Sequence, residues 1–188
     1  FSLCFCNAAD KPKAPFKVLF SNDTTNIGTC QSPYHKKGQK IDMSMLQATI
    51  DETAGTGIEV HMLQPGFTWA PFWQSKALPP LEHKKWWEEF SNGKGTHEYM
   101  NIVYEGGDFV STFVDQCKKD NLVNFVSLRL NDGHKLEFIN DPKGAQDLHL
   151  CKFYVDHPEY RIGPDKNDWY QHVQNFAIEE VRQYKFAF

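Results

Sequence analysis

The sequence predicts an α/β fold built on parallel strands, and three observations predict it. Short apolar runs at 17–23, 58–66 and 123–130 each turn polar at their C-terminal ends. Between them lie segments with apolar residues at helical spacing. The order strand, helix, strand, helix, strand is that of right-handed crossovers feeding one parallel sheet. Hydrophobic residues make up 40% and charged residues 23% of the 188, which places the chain with ordinary globular proteins rather than disordered or fibrous ones.

The first run, "KVLFSND", reads as a strand buried on both faces. A helix then begins at the N-cap candidate Asp42, carries Met43, Leu46, Ile50 and Ala54 on one side, and stops at Gly55 and Gly57. "IEVHMLQPG" follows as a second strand ended by Pro65 and Gly66. Residues 67–105 read as a long aromatic and polar excursion. The next helix sets Phe109, Val110, Phe113, Val114 and Cys117 toward the core, and "VNFVSLRL" is the third strand. A further loop covers 133–167, and a third helix starts at Asp168, with Trp169, His172, Val173, Phe176 and Val181 at loosely helical intervals. Connections this long after the second and third strands exceed the usual βα loops of about 2–6 residues, an excess that normally signals function.

Alternation along each strand sorts the side chains. Ser127, Arg129 and Asn131 share one face against Val126, Leu128 and Leu130; Glu59, His61 and Leu63 share one against Val60 and Met62; Ser21 and Asp23 share one against Asn22. In a (β/α) barrel the polar parity points inward near the mouth and the aliphatic parity outward against the helices, and barrel sites are built at the C-terminal strand ends. The expected fold is therefore a partial (β/α)8 TIM barrel, its first three to four βα units. Residues 10–188 are expected to form the N-terminal portion of a single domain truncated at its C-terminus. The expected substrate-contacting residues are Asn22, Asp23, His61, Arg129, Asn131, Asp132 and His134, with Trp69 or Trp73 stacking on a sugar face. Bland readings stand beside these. Arg129 is equally a structural partner for Glu59 or Asp23, His61 a satisfied core histidine, and Asn22, Asp23 and Asn26 loop organisers. Asp132 and His134 straddle Gly133 as two metal ligands would, but no third ligand is identifiable, so no metal or other cofactor is expected. Trp86 and Trp87 are expected in a core.

The formal net charge is −4 and no basic block exceeds a Lys pair, which gives no footprint for nucleic acid or anionic lipid. The opening "FSLCFCNAAD" reads as the remnant of a secretory signal peptide over 1–9, so an exported protein is expected, with no membrane span. If Cys4 and Cys6 leave with that segment, Cys30, Cys117 and Cys151 remain, an odd set that implies neither a disulfide framework nor a structural zinc.

The segments "LFSNDTTNI", "SPYHKKG", "DETAGTGIEVHMLQPG", "PFWQSK", "EHKKWWEEF", "SLRLNDGH", "FYVDHPEYRIGPD" and "WYQHVQNFAIEEVRQYK" together resemble the N-terminal part of bacterial glycoside-hydrolase-like TIM-barrel proteins, from about residue 17 to the end. The resemblance implies a carbohydrate partner and a full barrel whose later strands carry the main acidic residues, beyond residue 188. Asp23 and Asp132 then hold sugar hydroxyls or orient those acids. Two other readings compete with hydrolysis: a metal-dependent barrel hydrolase or isomerase using His61, Asp132 and His134, and a noncatalytic carbohydrate-binding barrel.

Overall fold

A computed structural model describes residues 15–29, 38–66, 70–93, 95–130, 150–163 and 168–187. The signal-remnant reading of residues 1–9 and Cys30 lie outside these. Three strands, β1 (Leu19–Asp23), β2 (Val60–Gln64) and β3 (Val123–Val126), form a parallel sheet in the order 1-2-3. The alternating α/β reading holds to this extent.

Helix α1 (Thr24–Thr29) follows β1 directly, and α2 (Met43–Asp51) starts where Asp42 accepts a hydrogen bond from the Ser44 amide at 2.8 Å. Helix α5 (Phe109–Lys119) starts in the same way at Asp108, which accepts from Ser111. Met45, Leu46 and Ile50 of α2 and Phe109, Phe113 and Cys117 of α5 are buried in one cluster with Leu63 of β2. Both crossover helices therefore cover the same face of the sheet. Gln116 of α5 donates to Asp51 at the end of α2, which ties the two helices together at their C-terminal ends.

The described part of the excursion, 70–93 and 95–105, holds helices that the sequence reading did not place. It contains α3 (Pro80–Phe90) and α4 (Glu98–Tyr104). Tyr99 of α4 stacks on Phe72 with ring centroids 5.2 Å apart, and its hydroxyl donates to the Thr25 carbonyl at 3.0 Å, so this insertion joins the main core and braces α1. Trp87 of α3 is buried as expected, in a second cluster with Leu150, Cys151 and Tyr154. The latter two belong to the start and body of α6 (Lys152–Asp156).

The helix expected from Asp168 is interrupted. Asp168 caps a short 3-10 turn, Trp169–His172, by accepting from the Tyr170 amide. The chain then pairs with the segment beyond the 3-10 turn Pro158–Tyr160, with Ile162 donating to Val173 and Asn175 to Tyr160, before α7 (Glu179–Phe186) begins. These inter-segment bonds take the amides and carbonyls that a continuous helix needs. Cys117 and Cys151 are buried thiols.

Candidate functional site

Strand register fixes which side chains meet. Leu19, Val60 and Val123 lie at one level, Ser21, Met62 and Phe125 at the next that shares their face, and Asp23 with Gln64 above them. Neighbours at one level of a parallel sheet point the same way. This face is the one that α2 and α5 leave uncovered. It runs from apolar at the N-terminal ends of the strands to polar at their C-terminal ends.

The polar end is held by specific contacts. Asp23 Oδ1 accepts from the Thr25 amide at 2.9 Å and from its hydroxyl at 2.7 Å, while Oδ2 accepts from Arg129 Nη2 at 2.6 Å. Arg129 reaches this point because the chain stays extended after β3: the Ser127 amide still donates to the Leu63 carbonyl at 2.8 Å. The ion pair thus links the first strand to the third across Gln64. Buried Thr24 donates to the Gln64 carbonyl at 2.7 Å and fixes the end of the middle strand. With Oδ1 accepting twice and Oδ2 once, Asp23 keeps one Oδ2 lone pair toward which a ligand hydroxyl can donate. A carboxylate held by an arginine and a hydroxyl is positioned to accept a further hydrogen bond and orient its donor.

Asp23 and Arg129 are brought together, and of the two partners considered for Arg129 it is Asp23 that it meets. Glu59 instead accepts from the Lys17 amide. Asn22 faces the other way, donating to Thr49 of α2 at 3.2 Å. His61 corrects the expectation of a mouth position. It is level with Phe20, is fully buried on the helix-covered face, and lies against Phe20 and Phe113 with ring centroids 5.0 and 5.4 Å away. The physical reason is register: Gln64, not His61, shares the Asp23 face. Trp73 is half-buried in the loop after β2, beside Phe72, whose carbonyl accepts from the Phe109 amide. Trp69, Asn131, Asp132 and His134 lie outside the described residues.

Two positions that support the site were missed. Gln64 was legible in principle, because it continues the parity of Val60 and Met62. Tyr99 was not, since nothing local in an aromatic-rich insertion tells which ring reaches back to Thr25. Among the described residues no group of three or more His, Cys, Asp or Glu side chains is placed to hold a metal, and no helix is long and apolar enough to cross a membrane. Compared with known proteins, the chain matches no family model and no curated sequence, so its reading rests on the paired Asp23 and Arg129 at the strand ends.

Proposed function

We propose that the chain supplies the first βα units of a (β/α)8 barrel that binds or hydrolyses a carbohydrate, in an exported glycoside-hydrolase-like protein whose main catalytic carboxylates lie beyond residue 188. The observation that carries this reading is the Asp23–Arg129 ion pair at the C-terminal ends of the first and third strands, on the face opposite α2 and α5. The strand order supports the barrel. Consecutive strands are neighbours and both crossovers return on one side, whereas a doubly wound sheet reverses its strand order and places helices on both faces. In such a barrel the uncovered face becomes the interior, and Asp23, Gln64 and Arg129 lie at its mouth.

The described residues take the role of holding sugar hydroxyls, with Asp23 as acceptor and Arg129 as its fixed counter-ion. Proton transfer at a glycosidic oxygen requires a carboxylic acid and a second carboxylate at a set separation, and Asp23 is assigned to neither role. The test is a glycan array and a hydrolysis screen on the protein extended past residue 188. Binding to at least one glycan is expected, weakened about tenfold or more by Asp23→Ala through loss of a charged acceptor. Absence of both binding and turnover across the arrays sinks the proposal.

A further inference from the structure

His61 lies where the sheet meets its helix layer, touching Phe20 of β1, Phe113 of α5 and Thr53 just past α2. The Thr53 hydroxyl has a single proton, which it donates to the Ile50 carbonyl at 2.8 Å. In the 3.2 Å contact between Thr53 Oγ1 and His61 Nδ1 the hydroxyl must therefore accept, which makes Nδ1 the protonated nitrogen. The lone pair is then on Nε2. That atom is buried and has no hydrogen-bond partner among the described residues.

We infer that His61 is an acid-sensitive latch of the fold: a proton arriving on Nε2 places a charge with no acceptor between the sheet and helices α2 and α5, and releases that packing. Among the described residues the elements around it offer no compensation. Phe20 and Asn22 of β1 and the level neighbour Asn124 of β3 do not titrate. Cys117 of α5 is a neutral thiol, pushed up by burial to about 11. Asp51 and Glu52 at the end of α2 are exposed, with Asp51 engaged by Gln116, and exposed Glu59 accepts from the Lys17 amide.

Burial lowers the pKa of His61 from 6.5 to about 4, a difference of roughly 300-fold in proton affinity. The unfolded chain thus takes up this proton first. The stability contributed by neutral His61 is complete above pH 6.5 and is lost as the pH falls toward 4. Asp120 acts in the opposite sense. Its pKa is raised by burial and by its hydrogen bond to Asp51, so its protonation favours the folded state in acid.

Urea unfolding of the full chain from pH 7 to pH 4, read by tryptophan fluorescence, tests the latch against His61→Phe, which fills the same aromatic slot without titrating. The unfolding equilibrium constant of the wild type is expected to rise on the order of 100-fold more than that of the variant over this range. Parallel pH profiles overturn the inference. Should the variant fail to fold, NMR titration of the wild-type imidazole decides. The ring is expected to stay the Nδ1–H tautomer until the tertiary signals of α2 and α5 are lost together with its titration. A His61 ring that titrates near 6.5 in an intact fold overturns the inference equally.

Discussion

Asp23 is the residue on which the C-terminal end of the sheet converges, because its oxygens serve the turn into α1 and the third strand at once. The side chain of Asp23 is 17% exposed and that of Arg129 36%, so water screens their attraction in part. A double-mutant cycle of Asp23→Asn and Arg129→Met, followed by urea unfolding, is expected to give a coupling of about 1 kcal/mol that shrinks as salt is added. A coupling that salt leaves unchanged contradicts a charge-based link. His83 illustrates the contrasting case of a polar residue enclosed by the fold. Its Nε2 lies 2.7 Å from the Leu150 carbonyl, which can only accept, so Nε2 donates and Nδ1 accepts from the Tyr104 hydroxyl at 2.8 Å. Burial lowers its pKa and keeps it neutral in that tautomer. His83→Phe leaves a buried carbonyl and a hydroxyl without this partner and is expected to cost about 2–3 kcal/mol in urea unfolding. A loss within a few tenths of a kcal/mol would mean that water replaces the ring.

Between elements, the turn out of β2 has little freedom. Gly66 has φ +105, and a Cβ there would lie 2.8 Å from the Phe72 ring, which is itself stacked in the core. Gly66→Ala is expected to destabilise the chain by about 2 kcal/mol, with the loss appearing as a lower urea midpoint at unchanged slope. How far such elements were legible depended on whether their signal is local. The α2 start was readable because an Asp cap acts on amides two or three residues away, a signal that Asp108 repeats at α5. Helix α3 was not, because its buried positions are His83 and Trp87 within a run of adjacent charges and aromatics, which blurs the period. The break after His172 was hidden for a different reason: its cause is the pairing of Gln174 with Arg161, well upstream in the chain. Strand parity was correct for Asp23 and Arg129 yet misassigned His61, since on β2 both faces mix polar with apolar residues and alternation does not say which face the helices cover.

At the scale of the molecule, two clusters carry the hydrophobic packing, one under the sheet and one around Trp87 and Tyr154, and His83 joins them by bonding both the Tyr104 hydroxyl and the Leu150 carbonyl. Among the described residues α2 and α5 cover only one face of the sheet, and on the other Val60 of the middle strand is buried while its neighbours are not. Leu19, Val123 and Phe125 are 52%, 39% and 50% exposed on it, and among the described residues β1 and β3 have no outer strand neighbours. Contiguous apolar surface beside open strand edges is attractive to any similar surface, a second copy included. The 188-residue chain is therefore expected to self-associate, its weight-average sedimentation coefficient rising with concentration. Phe125→Lys should reduce that rise without lowering the unfolding free energy by more than about 1 kcal/mol, because a half-exposed ring on an open face contributes little to the internal core. A wild-type chain that sediments as a monomer at every concentration would show that this face is covered in solution, and would remove the apolar lower half of the proposed barrel interior from the argument.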